Sequence, residues 1–137
     1  AAVEAAKTTG LPVVACMVFD SGRDRDRTMM GTTPEQAARG LAESGADVIG
    51  ANCGQGIAGF PRIAARLREA GGRPVWVKAN AGLPELENGK VIYRTTVQDF
   101  VSHVPALLQS GASFIGGCCG TDPSFIRAVA AQLKSPA

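Results

Sequence analysis

Three cysteines stand where thiol chemistry can be assembled: Cys53, and the adjacent pair Cys118 and Cys119. Each closes a short apolar run, D-V-I-G-A-N-C at 47–53 and S-F-I-G-G-C-C at 113–119. Three thiolates drawn together suit a soft, borderline ion such as zinc and leave one coordination position open. That open position separates a catalytic zinc from a structural one, which fills it with a fourth protein ligand. The C-x-x-C pairs of a structural zinc ribbon do not occur. Vicinal cysteines need pliant neighbours to aim both sulfurs at one metal, and Gly116, Gly117 and Gly120 supply that freedom. A thiol with a pKa near about 8.5 is a poor nucleophile at neutral pH, and metal binding makes it a thiolate. A substrate thiol held at such a site would attack a methyl group carried by a good leaving group.

Two other readings stand beside this one. Isolated cysteines commonly act as small core residues, which is the reading for Cys16, and Cys118-Cys119 can close as a vicinal disulfide. Asn80, in N-A-G-L-P at 80–84, is a candidate metal ligand or substrate contact, against the alternative of an ordinary turn asparagine. Lys78 is read as a solvent-facing or internally paired charge, His103 as structural or exposed, and Trp76 and Phe114 as packing. Gly54-Gln55-Gly56 has the look of a phosphate-loop fragment. It lacks the rest of the fingerprint and is set aside.

The elements that must position these residues alternate regularly. Four apolar, β-branched runs at Pro12–Phe19, Asp47–Cys53, Pro74–Asn80 and Ser113–Cys119 predict strands covered on both faces of a parallel sheet. Amphipathic stretches at Thr33–Ser44, Pro61–Ala70, Val97–Ser110 and Asp122–Lys134 predict helices, with Thr33, Thr96 and Asp122 as caps and Pro105 kinking the third. Glycines at 10, 45, 71/72 and 111 end helices and lead into strands. A short internal repeat, S-G-A-D-V-I-G-A-N-C at 44–53 and S-G-A-S-F-I-G-G-C-C at 110–119, puts a cysteine at the C-terminal end of two such units. Strand–helix alternation with short links implies right-handed parallel units, either half of an eight-stranded (β/α) barrel or a small open α/β sheet. In both, chemistry lies at the C-terminal strand ends, where the cysteines fall.

Composition narrows the classes. Of 137 residues, 45% are hydrophobic and 19% charged, a globular balance, and the net charge of +2 is spread along the chain. Neither nucleic acid nor a membrane is expected as a partner. The cluster Arg23–Arg27, interleaved with Asp24 and Asp26, reads as a solvated loop. The opening A-A-V-E-A-A-K-T-T-G reads as the last turns of a helix, so a cut end is expected there. It shows no charged region followed by an apolar stretch, and four cysteines then argue for a reducing, cytoplasmic setting.

I-G-A-N-C-G at 49–54, N-A-G-L-P-E-L at 80–86 and I-G-G-C-C-G-T at 115–121, with R-T-M-M-G-T-T-P-E at 27–35, together resemble the homocysteine-binding domain of the homocysteine S-methyltransferase family. N-A-G-L-P points to its cobalamin-dependent branch. Ala79 and Val18 depart from the family's common proline and threonine. The resemblance implies an enzyme that activates homocysteine through zinc for S-methylation to methionine, with the methyl group coming from a methylcobalamin on a separate domain or protein. Cys53, Cys118 and Cys119 would be the zinc ligands, and Asn80 the fourth ligand or a substrate contact. The fold implied is a (β/α)8 TIM-type barrel. Residues 1–137 would form one partial domain, its C-terminal half with strands five to eight. The missing N-terminal half-barrel, or a second copy of the chain, would then be a partner. The alternatives are a different donor or thiol acceptor, or a catalytically silent zinc-binding half-barrel.

Overall fold

In the computed structural model, which describes residues 1–134, a short helix α1 (Ala2–Lys7) precedes four parallel strand–helix units. Strand β1 spans Val14–Met17, followed by helix α2 (Pro34–Glu43) and strand β2 (Val48–Cys53). Helix α3 (Phe60–Gly71) leads to strand β3 (Val75–Ala79). Strands β4 (Glu85–Glu87) and β5 (Lys90–Ile92) then form a separate antiparallel hairpin. Helices α4 (Val97–Ser102) and α5 (Val104–Gln109) precede strand β6 (Ala112–Gly117), and helix α6 (Pro123–Lys134) closes the described chain. The main sheet is parallel throughout in the order β1-β2-β3-β6, so β3 lies between β2, which ends in Cys53, and β6, which leads into Cys118 and Cys119.

The helix starts follow local chemistry. The Thr33 hydroxyl accepts the Gln36 N–H at 3.3 Å while the Gln36 side chain accepts the Thr33 N–H at 3.0 Å, a reciprocal box that satisfies two orphan donors of α2. Thr96 and Asp99 do the same for α4. The predicted kink is a full break. Pro105 has no N–H to continue the helix, and the chain divides at His103 into α4 and α5.

The helices pack on the sheet face that carries Ile49, Ala51, Val75, Val77 and Ala79, all buried against Ala38 of α2, Ala64 and Leu67 of α3, and Leu107 of α5. Phe100 and Phe125 meet edge-on with centroids 5.4 Å apart and tie α4 to α6. The alternate face differs from expectation. Cover on both faces was predicted, yet β3 alternates between buried and half-buried residues, and Val14 and Phe114 are 41% and 46% exposed. Cys16, Gly50, Trp76, Lys78 and Phe114 share this open face, so Cys16, Trp76 and Phe114 are not in the buried core. The sequence is apolar enough for two covered faces, but the helices of these four units all lie on one side.

The loop of basic and acidic residues after β1 is less free than its composition suggests. Arg66 of α3 binds Glu35 of α2 through two nitrogens, one at 2.9 Å, and also pairs with Asp26 of the loop. Those hydrogen bonds hold the Glu35 carboxyl down to about 2 from an ordinary 4.5. A carboxylate whose folded pKa is depressed contributes stability above its unfolded pKa and loses it as pH falls. Resistance to urea unfolding is therefore expected to decline between pH 4.5 and about 2. Glu35→Gln should lower stability at neutral pH and reduce that slope, both readable from urea midpoints across pH.

Candidate metal centre at the strand ends

Cys53 is the last residue of β2, level across the sheet with Ala79 and Gly117. Cys118 and Cys119 lie just past the end of β6 on the same rim. The sulfurs of Cys53 and Cys118 are 3.2 Å apart, those of Cys118 and Cys119 3.9 Å apart, and all three fall within 4.8 Å of one another. Tetrahedral coordination at about 2.3 Å per sulfur places thiolates roughly 3.8 Å apart. The trio brackets that spacing. All four cysteines are free thiols, so the vicinal pair is not a disulfide.

Backbone and one amide hold this arrangement. Cys53 adopts φ of +59°, uncommon for a residue with a side chain, and turns the chain away from the sheet at the sulfur. The Ala79 carbonyl accepts the Cys118 N–H at 2.9 Å, and the Ala81 N–H donates to the Cys119 carbonyl at 2.9 Å. The Asn80 N–H donates to the Cys53 carbonyl at 3.1 Å. The Asn80 side chain, 7% exposed, completes the bracket. Its Nδ2 donates to the Gly54 carbonyl at 3.0 Å and its Oδ1 accepts the Cys119 N–H at 3.0 Å. Asn80 is thus more than a turn residue, since it joins both cysteine loops. Gly56 of the G-Q-G segment lies against Gly82, where an added Cβ would come within 3.4 Å of the Gly82 Cα. Those glycines let two rim loops touch.

The thiols behave as a pair. The hydrogen bond with Cys118, reinforced by burial, pushes Cys53 up to about 11. Burial also works to raise Cys118, but hydrogen bonds from Cys53 and Cys119 outweigh it and hold that thiol below its ordinary value. The hydrogen bond between them thus raises one thiol and lowers the other. A positive ion in contact with all three sulfurs would remove the remaining protons.

The other sequence candidates fall elsewhere. Lys78 lies on the open face, where it opposes the effect of burial on Cys16, whose thiol is pushed up overall. His103 marks the α4–α5 junction. A groove of about 440 Å³ between α4–α5 and α6, lined by Val97, Val101, Pro105 and Ala128, includes none of the cysteines. Two residues near the sulfurs were not anticipated. Asn52 donates its Nδ2 to Cys53 Sγ at 3.2 Å, and the ring of Tyr93 lies over Gly120. Asn52 was in view within the repeat, but nothing in its residue type announced a sulfur partner.

Comparison with known proteins agrees with this geometry. The homocysteine S-methyltransferase family profile matches residues 1–133. The chain is 34% identical over 108 residues to a methionine synthase of Mycobacterium tuberculosis, spanning 78% of this chain and 9% of that one. It is 30% identical over 149 residues to an S-methylmethionine–homocysteine S-methyltransferase of Rattus norvegicus, covering 96% of this chain and 40% of the relative. The apo crystal structure of the Escherichia coli homocysteine methyltransferase MmuM superposes with a TM-score of 0.65 at 25% identity, over 95% of this chain and 45% of that one. The chain therefore belongs to the homocysteine S-methyltransferase family, and its four parallel units form part of a (β/α) barrel. It spans less than half the length of these relatives.

The bracket makes a direct prediction. Asn80→Ala strands the Gly54 carbonyl and the Cys119 N–H, and each unmade buried partner costs about 1–3 kcal/mol. Asn80→Asp keeps the acceptor but sets a carboxylate oxygen against the Gly54 carbonyl. Both variants are expected to lower the urea midpoint, with Asp no better than Ala. An unchanged midpoint for either would show that the bracket carries no stability.

Proposed function

We propose that Cys53, Cys118 and Cys119 hold a catalytic zinc ion, and that the chain serves to activate the thiol of homocysteine for S-methylation to methionine. The observation that carries this reading is three sulfurs from two strand ends within 4.8 Å of one another on the C-terminal rim of a parallel sheet. The donor set fits the ion: all sulfur, spaced for a tetrahedron, with three protein positions and no fourth cysteine beside them. Zinc in this setting supplies the Lewis acidity that keeps a substrate thiol ionised near neutral pH. The chain's own residues fix where that happens. Cys53 brings its sulfur to 3.2 Å from that of Cys118, Asn80 ties the two loops together, and Asn52 donates to one sulfur. In the reaction, the homocysteine sulfur gains a methyl group and gives up its proton. The donor departs with the electron pair of the bond it loses.

Asn80 is proposed as the fourth ligand or a substrate contact. Its Oδ1 keeps a second lone pair beyond the one that meets the Cys119 N–H. Residues 1–137 are read as the C-terminal half of the family barrel, strands five to eight. The remaining strands, or a second copy of the chain, would cover the open face. The methyl donor is read as a methyl-corrinoid on a separate domain or protein, supported by N-A-G-L-P at 80–84 and by the 34% identity to a methionine synthase. The similarity to an S-methylmethionine-dependent relative over 96% of the chain supports a second donor class. A cytoplasmic location suits three thiolates that must stay reduced. Among the described residues no helix is long and apolar enough to cross a membrane.

Metal analysis with homocysteine titration tests the reading. One zinc per chain is expected, with a change in metal absorption of the cobalt-substituted protein when homocysteine is added. Cys118→Ala or Cys119→Ala should weaken zinc binding by more than the roughly 10–100-fold that loss of a supporting residue costs. Methyl transfer should fall in parallel, with methylcobalamin, S-methylmethionine and betaine compared as donors. Unchanged zinc content in the Cys118→Ala, Cys119→Ala double variant would overturn the site.

A further inference from the structure

The β4–β5 hairpin poses a question that the core does not answer. Glu85, Leu86 and Glu87 are all exposed, and the hairpin pairs only with itself. Its turn is well made, with Asn88 and Gly89 at φ of +51° and +75°, as a type I′ turn requires. Arg94, just past its end, pairs back to Glu85 at 2.9 Å and Glu87 at 3.6 Å. These exposed pairs link the hairpin to the point where the chain re-enters the rim. The re-entry is close to the cysteines: the Thr95 N–H donates to the Ala81 carbonyl at 3.3 Å, and an added Cβ on Gly82 would lie 2.9 Å from the Thr95 hydroxyl.

Tyr93 is the residue delivered by that re-entry. A Cβ on Gly120 would fall 2.2–2.6 Å from Tyr93 ring carbons, so the ring lies flat on the Gly120 backbone. Gly120 follows the vicinal pair and has φ of +77° in a turn where the Thr121 N–H and hydroxyl both donate to the Cys118 carbonyl, at 3.2 and 2.7 Å. Backbone bonds from Ala79 and Ala81, with the Asn80 amide, hold this turn from the β3 side. The ring supplies a second contact, from a different element. We propose that Tyr93 is a positioning residue for the metal centre, its ring clamping the Cys118–Gly120 turn so that both adjacent sulfurs stay aimed at one ion, with the hairpin as the strut that holds the ring in place. This rests on the zinc reading above.

The clamp acts through the face of the ring, so the hydroxyl is dispensable. The test uses the zinc-loaded protein and its cobalt-substituted form, with Tyr93→Ala, Tyr93→Phe and Tyr93→Leu. Zinc release to a chromophoric chelator should be about 10-fold faster in Tyr93→Ala, within the roughly 10–100-fold range for losing a group that orients a ligand. The sulfur-to-cobalt and d–d absorption bands should shift as the geometry loosens. Tyr93→Phe should restore both the release rate and the spectrum. Tyr93→Leu keeps apolar bulk without a flat ring and should resemble Ala, so it replaces Ala if that variant does not fold. Wild-type release and spectrum in the Ala or Leu variant would overturn the clamp, as would a Phe variant as impaired as Ala. If the unsubstituted protein showed no thiolate–cobalt band, the zinc reading would fall first and this inference with it.

Discussion

The carboxamide of Asn80 is the interaction on which the rim depends. It stands just past the end of β3, the strand between those that lead to Cys53 and to Cys118-Cys119, and it reaches to both sides at once. One side needs a donor for the Gly54 carbonyl and the other an acceptor for the Cys119 N–H. Asparagine carries a separate donor and acceptor atom at the end of a one-carbon stem. Aspartate offers two acceptors, and glutamine is a methylene too long for a bracket only one residue past the strand. The backbone of residues 79–81 repeats the same logic, donating to or accepting from Cys53, Cys118 and Cys119 in turn. Three sulfurs distant in sequence are thereby referred to one short stretch of chain.

That arrangement explains how a sheet with an uncovered face can still present an ordered site. The groups that set sulfur positions link the C-terminal end of β3 to the chain just past its two neighbouring strands. They are fixed by strand pairing and by the helix-covered side, where Ile49, Val75, Val77 and Leu67 are fully buried. The open face bears a different burden. Trp76 and Phe114 lie with ring centroids 5.6 Å apart, and the Trp76 indole N–H is enclosed without a hydrogen-bond partner among the described residues. That face sets none of the sulfur positions, which answer to the rim.

Much of this was legible in the sequence because it was periodic or chemically specific. The strand–helix alternation, the Thr33 and Thr96 caps and the turn glycines each follow from local rules, and the structure has each of them. The convergence of Cys53 with Cys118 and Cys119 followed from topology, since parallel units put all their C-terminal ends on one rim. The repeat was a looser guide. It aligns Cys53 with Cys119, yet Cys53 lies level with Gly117, and the vicinal pair runs past the strand. The β3–β6 register slip between Val75 and Trp76, beside Ser113, narrows that offset by one residue. One-sided helix cover could not be read, because the apolar composition of a strand does not say on which side of the sheet the helices lie. The hairpin did carry a signal in Asn88-Gly89, but three-residue strands are too short to show alternation.

The vicinal pair shows why so much supporting structure surrounds so few ligands. Adjacent residues of an extended chain point to opposite faces, so Cys118 and Cys119 cannot both address one ion from within a strand. The chain must leave β6 first, and it does so at Gly117, entering a turn that Gly120 closes at a left-handed φ of +77°. A glycine-rich exit allows that geometry but does not select it, since each glycine enlarges the set of states from which the productive one is drawn. Selection has to come from contacts on both sides of the turn. The carbonyls and amides of β3's end supply one side and the Tyr93 ring the other. The flexibility that lets two neighbouring sulfurs converge is thus the reason a bracket and a clamp are required, and both come from the segment between residues 79 and 95 that contributes no cysteine of its own.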